Sequence, residues 1–409
     1  MKYNTKIGQG LVFCCGFLLM LCAGLVFSWS VFAGPIEAEL GFTRQQTSLV
    51  FPFSLSVSIL GQMIAGVIQK KGDPRYCFLL SAALFLSGFW LAARSMSIGQ
   101  LLMGYGILAG LAIGIIFNTV LSNATSCFPN NENLATGLLL GGFGLGSMVL
   151  GSMAAGVIQT AGWRAVFAAF AAGYTVLSLL GAVAIRPAAR GAGESATAAQ
   201  QDASPTQLLR LASYRAFFLW SVTLVGGALV VSGHAALCVA ELNADPMLAA
   251  LAVTANSLPN VLARMVFGYS YQRLGERWCK WLLTLLALSG GLLCLLAYAA
   301  GSLAGLLVAF ALLGAVNGGN SVVGTAYIRE SFGRSHFSGN IALTNLHLAI
   351  ASFMGPAVAG AIRTRAGSYT PVFAAMVLIA VAAAALLALS LRYAGKEKAA
   401  AHARANNPA

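Results

Sequence analysis

A single arginine, Arg264, lies inside a long apolar stretch of the sequence. Asn256, Asn260, Arg264 and Gly268 recur every four residues, which places them on one face of a helix. A cation at the centre of a membrane helix costs about 2.5–3.5 kcal/mol unless something offsets its charge. The pattern predicts that Arg264 binds an anionic substrate. The alternative is a structural arginine that extends to the membrane surface or bonds carbonyls at a helix end.

Hydrophobic residues form 58% of the 409-residue chain and charged residues only 9%, a composition that indicates an all-α membrane protein. A spanning helix needs about 20 predominantly apolar residues. Stretches of this kind predict twelve transmembrane helices, at 9–34, 46–69, 76–95, 98–123, 134–159, 164–186, 214–237, 247–271, 278–300, 303–327, 338–362 and 369–393.

The net charge of +13 is spread over the loops and is not gathered in one basic domain, which argues against a nucleic-acid partner. Most of the Lys and Arg residues fall in the termini and in the loops on one side of the predicted spans. The positive-inside rule then predicts that both termini are cytoplasmic. We expect a monomeric, multi-pass protein of a bacterial inner membrane.

Two halves of the sequence resemble each other. Leu150–Thr160 matches Met354–Thr364 at an offset of 204 residues, and Gly66–Gly72 resembles Gly268–Gly275. Such a repeat predicts two pseudo-symmetric six-helix bundles. The predicted organisation is a first bundle at 1–186, a linker at 187–212, a second bundle at 213–393 and a tail at 394–409. Within the linker, Ser204–Leu211 predicts a short capped helix, and the tail is predicted to be disordered.

The loops after the second and eighth spans carry a weakened form of the motif GxxxDRxGRR, so the chain resembles the major facilitator superfamily over its full length. The motif residues are Gly66, Lys70, Gly72 and Arg75 in the first copy, and Gly268, Gln272, Arg273, Gly275 and Arg277 in the second. This resemblance implies the major facilitator fold and a role for these residues in conformational change. The usual aspartate is absent from both copies. Gln272 replaces it in the second, and either Gln69 or Lys70 in the first.

Further motifs resemble the oxalate–formate antiporter and monocarboxylate transporter group. The first span carries Phe27, Trp29 and Phe32 in an aromatic pattern similar to that group's. The eighth span contains NVLARMVFG, similar to the group's Asn-x-x-Gly-Arg-x-x-x-Gly, whose arginine binds the substrate carboxylate. The resemblance thus implies the same role for Arg264. The group's oxalate exchanger carries a lysine in its eleventh span, near the position that His347 holds here.

Eight residues are the candidates for substrate binding: Arg264, His347, Trp29, Phe117, Asn260, Asn256, Gln62 and Asn317. One arginine with a titratable histidine favours a monocarboxylate, or a dianion whose affinity depends on pH. A packing role for His347 is an equal alternative. The aromatic residues and the asparagines have packing and helix–helix hydrogen bonding as their alternatives.

These features predict a secondary active transporter of small carboxylates that works by alternating access and exchange. Proton-linked uptake or efflux of another small organic solute is the alternative, and a non-transporting sensor stays open. The sequence contains no HExxH motif, catalytic triad or metal-ligating cluster, so we expect neither an enzyme nor a cofactor or metal.

Overall fold

The computed structural model describes residues 6–43, 46–47, 49–128, 130–185, 202–242 and 246–406. Every regular element in these ranges is helical. Most of the predicted linker, residues 187–201, lies outside them. The α-helices are α1 (Lys6–Ala23), α2 (Trp29–Leu40), α3 (Val50–Lys71), α4 (Arg75–Ala93), α5 (Ile98–Leu101), α6 (Gly110–Asn123), α7 (Glu132–Ala184), α8 (Pro205–Arg210), α9 (Ala212–Ala240), α10 (Pro246–Ala299), α11 (Leu303–Phe332), α12 (Phe337–Thr344), α13 (Leu346–Ala366) and α14 (Thr370–Asn406).

Ten helical segments of the described chain are long and apolar enough to cross a membrane. Two of them, Glu132–Ala184 and Leu251–Ala299, have 53 and 49 residues. A helix rises about 1.5 Å per residue, so each is more than twice as long as the roughly 30 Å hydrocarbon core. Each therefore supplies two spans, which confirms the twelve predicted spanning helices.

The two long segments are each interrupted by a glycine. Gly162 in α7 has φ 78° and ψ 162°, and Gly275 in α10 has φ 79° and ψ 176°. This region of backbone space is open essentially to glycine alone. The breaks fall where the sequence predicts the junctions between spans five and six and between spans eight and nine.

Replacing Gly275 with alanine is expected to destabilise the protein by about 1–3 kcal/mol, because alanine cannot adopt this backbone conformation without strain. A Cβ at Gly275 would meet no atom within 4 Å, so the backbone alone accounts for the effect. The control is Gly173→Ala, a helical glycine with equally open surroundings. It should be neutral or stabilising. Thermal unfolding of the detergent-purified variants checks the pair, and equal midpoints would contradict the prediction.

The chain forms two compact units. The first comprises Met1–Asp202 together with Ile328–Asn345, and the second comprises Ala203–Tyr327 together with Leu346–Ala409. The last turn of α11 and the whole of α12 thus pack with the first unit. This segment carries polar contacts to α3, α6 and α7.

The same close helix crossing occurs in each unit. In the first, a Cβ on Gly110 or Gly114 of α6 would press on the backbone of Ser54 or Ser58 of α3. In the second, a Cβ on either of two α11 glycines would overlap the backbone of α10: Gly314 meets Asn256, and Gly318 meets Asn260. Small residues at such crossings let membrane helices approach closely. The α11 glycines follow those of α6 by 204 residues, the offset of the sequence repeat.

In each unit, an ion pair joins two helix ends or the connections next to them. Arg164 contacts Glu39 at 2.8 Å in the first unit, and Arg363 contacts Glu241 at 2.6 Å in the second. The hydrogen bond from Arg164 lowers the pKa of the Glu39 carboxyl below its ordinary value. Each of these partly exposed pairs contributes little to the free energy of unfolding.

Two predictions for the loop and tail segments have different outcomes. The short helix α8 begins as predicted: the Ser204 side chain accepts from the Gln207 backbone, in a full capping box. The tail prediction is wrong within the described residues, because α14 continues past Tyr393 to Asn406. Glu397 on this extension bonds the backbone and hydroxyl of Ser213, which gives the polar helix a partner on α9.

Candidate substrate site

Arg264 lies on α10 and only 6% of its surface is exposed. Its Nε–H donates to Oδ1 of Asn260, one turn earlier, at 3.3 Å. These two residues therefore share one helix face, as their spacing predicts. A guanidinium binds a carboxylate through parallel N–H groups in a fixed plane. Because Asn260 takes the Nε–H, it orients that plane.

Asn256, one turn before Asn260, joins three helices of the second unit. Its Nδ2 donates to the carbonyl of Phe310 on α11 at 3.1 Å, and its Oδ1 accepts from Ser232 on α9 at 2.9 Å. These bonds hold the arginine-bearing helix between its neighbours. A direct contact of Asn256 with substrate stays a prediction.

His347 on α13 is buried and contacts Asn320 on α11. The Nδ2 of Asn320 lies 3.1 Å from Nε2 of His347. The two side chains form one buried hydrogen bond, whose direction depends on the histidine tautomer. Asn317, one turn before Asn320, is half-buried, and its carbonyl accepts from Ser321.

The glycine crossing relates the level of this pair along the helix axis to that of Arg264. Gly314 faces Asn256 and Gly318 faces Asn260, so α10 and α11 run in the same direction and advance together. Continuing that register puts Asn320 at the axial level of residue 262, although two residues of helix turn it away from the face that contacts α10. At about 1.5 Å per residue, Asn320 and Arg264 are then roughly 3 Å apart along the helix axis. The second unit thus holds a cation and a buried polar pair at one depth.

Gln62 in the first unit corresponds to Arg264 through the repeat. It is buried, and its Oε1 accepts from Nδ2 of Asn345 at 2.6 Å. Its carbonyl accepts from Nδ2 of Asn118 at 2.9 Å. Gln62 is therefore part of a hydrogen-bonded network in this structure, and its contact with substrate stays a prediction.

Of the two candidates for the position of the missing aspartate, Gln69 is the one with hydrogen bonds to α6 and α12. Its Nε2 donates to Ser338 Oγ on α12 at 2.9 Å, and its Oε1 accepts from Asn123 at 2.7 Å. Ser338 also donates to Asn118 Oδ1 at 2.5 Å. Nearby, a Cβ on Gly66 would lie 3.2 Å from Gly339. A neutral amide cluster therefore joins α3, α6 and α12.

The charged motif residues are mostly on the surface. Lys70, Gly72 and Arg75 are exposed in the first copy, as are Gln272, Arg273 and Arg277 in the second, while Gly268 is buried. Sequence reasoning missed the buried charge beside the second copy. Lys280 is fully buried, contacts Glu276 at 2.6 Å, and lies 3.2 Å from the centroid of the Tyr327 ring.

Trp29 and Phe117 belong to different aromatic groups of the first unit. Trp29 is buried against Tyr105, and its indole N–H donates to the carbonyl of Thr47 at 2.8 Å. These contacts fix the ring within the first unit, and its contact with substrate stays a prediction. Phe117 is half-buried and packs edge-on against Phe143, with ring centroids 4.9 Å apart.

A second polar cluster, unpredicted from the sequence, holds the end of α11 to the start of α7. Arg329 is buried; its Nε lies 3.2 Å from Glu132 Oε1, and its Nη2 donates to Thr136 at 3.0 Å. Exposed Arg334 contacts the other oxygen of Glu132 at 2.6 Å. The sequence indicates this cluster only weakly, through single charged residues at predicted helix ends.

Twelve membrane-spanning helices in two related halves define a multi-pass membrane protein. The sequence profile of the Major Facilitator Superfamily matches residues 12–239 and 234–409. The chain belongs to this superfamily. It is therefore a transporter with two pseudo-symmetric six-helix bundles and is not an enzyme.

Known proteins similar to this chain include three informative relatives. An uncharacterized MFS-type transporter, YhjX of Escherichia coli, is 27% identical over 60% of this chain and 61% of its own length. The oxalate:formate antiporter of Oxalobacter formigenes is 26% identical over 53% of this chain and 52% of its own. Monocarboxylate transporter 13 of Bos taurus is 23% identical over 86% of this chain and 82% of its own.

A solved structure has the same fold. The Major Facilitator Superfamily transporter FucP, in its outward conformation, superposes with a TM-score of 0.69 at 16% identity. The superposition covers 96% of this chain and 99% of FucP. At this identity the likeness concerns the fold alone.

Proposed function

We propose that the protein is a secondary active transporter of small carboxylates that exchanges one anion for another by alternating access. The observation that carries this proposal is Arg264, a buried guanidinium oriented by Asn260 inside a spanning helix. An intramembrane cation of this kind is usually retained for a substrate or ion. The names of two relatives, an oxalate:formate antiporter and a monocarboxylate transporter, support the same substrate class.

The proposed mechanism follows from the charge balance of the site. A carboxylate bound to Arg264 by two parallel hydrogen bonds offsets its charge inside the membrane. The loaded carrier then changes conformation more readily than the empty one, which favours exchange over one-way flow. The predicted spans contain no Asp or Glu, so a carboxylate proton relay is not part of this mechanism.

Proton-linked uptake or efflux of another small organic solute is the second candidate. The observation in its favour is His347, a buried residue whose side chain titrates near neutral pH in water. For either function, we propose that the protein is a monomer in the bacterial inner membrane with both termini in the cytoplasm. Its proposed partners are then the substrate and the lipid bilayer.

Counterflow into proteoliposomes with the wild-type protein tests the proposal. Vesicles loaded with an unlabelled acid are offered the same labelled acid, and lactate, formate, oxalate and propionate are compared with the neutral amide lactamide. We expect saturable exchange of at least one acid, and at least tenfold slower exchange of lactamide. Equal exchange of acid and amide, or no exchange of any acid by folded protein, would refute the carboxylate function.

A further inference from the structure

The last helix, α14, has one buried side that packs within the second unit. Met376, Ala383, Leu387 and Ser390 are all almost fully buried, and they follow one another at intervals of seven, four and three residues. Residues at these intervals share one face of a helix. The Ser390 hydroxyl donates to the carbonyl of Ser213 on α9 at 2.9 Å, so this face contacts α9.

The opposite side of α14 is apolar and exposed. Leu378, Val381 and Leu389 have 70%, 52% and 41% of their surface accessible. At about 100° per residue, these three side chains lie roughly 180–260° around the helix from Ser390. Exposed apolar side chains along a spanning helix contact the hydrocarbon of the bilayer. This side of α14 therefore faces lipid.

Two cations continue the lipid-facing side beyond the apolar span. Arg392 and Lys396 lie at about 200° and 240° from Ser390, within the sector of the exposed apolar residues. Both are exposed, and neither makes an ion pair or hydrogen bond within the part of the chain that the structure describes. Because the predicted span ends at residue 393, these side chains lie at the level of the lipid headgroups. Long basic side chains at the ends of spanning helices extend to that level.

The acid of this region faces the other way. Glu397 is the one acidic residue after the predicted span, and it lies within about 20° of Ser390 around the helix. Its carboxylate accepts from the backbone N–H of Ser213 at 3.2 Å and from the Ser213 hydroxyl. The negative charge is thus bound at the start of α9. The positive charge of Arg392 and Lys396 stays on the lipid-facing side.

We propose that Arg392 and Lys396 bind the phosphate of an anionic phospholipid. Basic residues directly beyond a spanning helix attract anionic headgroups. The occupant is a lipid and not a soluble anion, because the two cations continue the same face as Val381 and Leu389, along which the acyl chains lie. A bound lipid fastens the polar end of α14, which Glu397 joins to α9. This site is separate from the proposed substrate site.

The test measures lipid binding to the double variant Arg392→Gln with Lys396→Gln. Native mass spectrometry of the detergent-purified protein compares phosphatidylglycerol with phosphatidylcholine of the same acyl chains. The wild type should bind phosphatidylglycerol more tightly. Each basic residue near an anionic headgroup contributes about fivefold in affinity, so the double variant should bind phosphatidylglycerol at least about tenfold more weakly. Its affinity for phosphatidylcholine should not change.

The matched control is Arg94→Gln with Arg365→Gln, which removes the same charge from two exposed arginines in loops on the opposite side of the predicted spans. It should keep the wild-type affinity for phosphatidylglycerol. Equal weakening in both double variants would overturn the site, and so would unchanged binding in Arg392→Gln with Lys396→Gln. Displacement of phosphatidylglycerol by inorganic phosphate at an equal concentration would overturn the choice of a lipid as occupant.

Thermal unfolding provides a second readout for the same variants. A ligand that binds the folded protein raises its unfolding midpoint, so phosphatidylglycerol should stabilise the wild type more than phosphatidylcholine does. The difference should disappear in Arg392→Gln with Lys396→Gln and persist in the control. A difference that persists in both would overturn the proposal. Neither readout involves transport, so the result is independent of the proposed function.

Discussion

Arg264→Gln is expected to reduce carboxylate exchange at least a hundredfold. Each hydrogen bond to a charged group contributes about 1.5–3 kcal/mol, so the loss of two corresponds to roughly a hundredfold or more. Arg264→Lys keeps the charge but loses the planar pair of donors. It should therefore retain partial exchange, between wild type and the glutamine variant. The wild type and the two variants are compared by their initial rates of counterflow, measured with a carboxylate that the wild type exchanges.

The matched control is Arg215→Gln, which removes an exposed arginine from the second unit. Its exchange rate should stay close to that of the wild type. Size-exclusion profiles of the purified variants separate lost transport from lost folding. Wild-type exchange by folded Arg264→Gln would remove the basis of the carboxylate proposal, and the neutral-solute alternative would then take its place.

Glu132→Gln is expected to loosen the attachment of Ile328–Asn345 to the first unit. Glu132 bonds the buried Arg329 and the exposed Arg334, whose side chains are 4% and 54% exposed. Removing one partner of a buried ion pair typically costs about 3–5 kcal/mol, because the other charge stays desolvated. Amide hydrogen exchange of α12, measured by mass spectrometry, should accelerate at least about a hundredfold.

Arg334→Ala provides the internal comparison, because it removes the solvent-exposed contact to the same carboxylate. Exposed pairs contribute at most about 1 kcal/mol, so α12 should exchange less than tenfold faster. Replacing both buried partners, as in Glu132→Gln with Arg329→Met, should restore part of the lost protection. Equal acceleration in Glu132→Gln and Arg334→Ala would contradict the importance of burial. Unchanged exchange in α4 distinguishes local release from general unfolding.

Local patterns in the sequence predicted much of the fold. The helices follow from apolar stretches of spanning length, and the breaks at Gly162 and Gly275 follow from their place between such stretches. The start of α8 follows from Ser204 and Gln207, which satisfy one another's backbone groups. The four-residue spacing of Asn260 and Arg264 likewise predicted their contact. Each of these signals acts within a few turns of helix.

The features that the sequence did not predict depend on distant partners. Glu132 meets Arg329 from far along the chain, and no periodicity connects them. Gln69 bonds Ser338, which lies far along the chain on α12. The helical tail likewise depends on Glu397 reaching Ser213. The spacing of polar and apolar residues along the sequence does not indicate which distant residues pair.

The glycine crossing between α10 and α11 has a consequence for recognition from the two sides of the membrane. The backbones of the two helices are in close contact at Gly314 and Gly318, and such tight packing favours their moving as one unit. Residues on these two helices, Arg264 among them, should then move together when the protein changes conformation. Under the proposed exchange, competing acids should therefore rank in the same order from either side of the membrane.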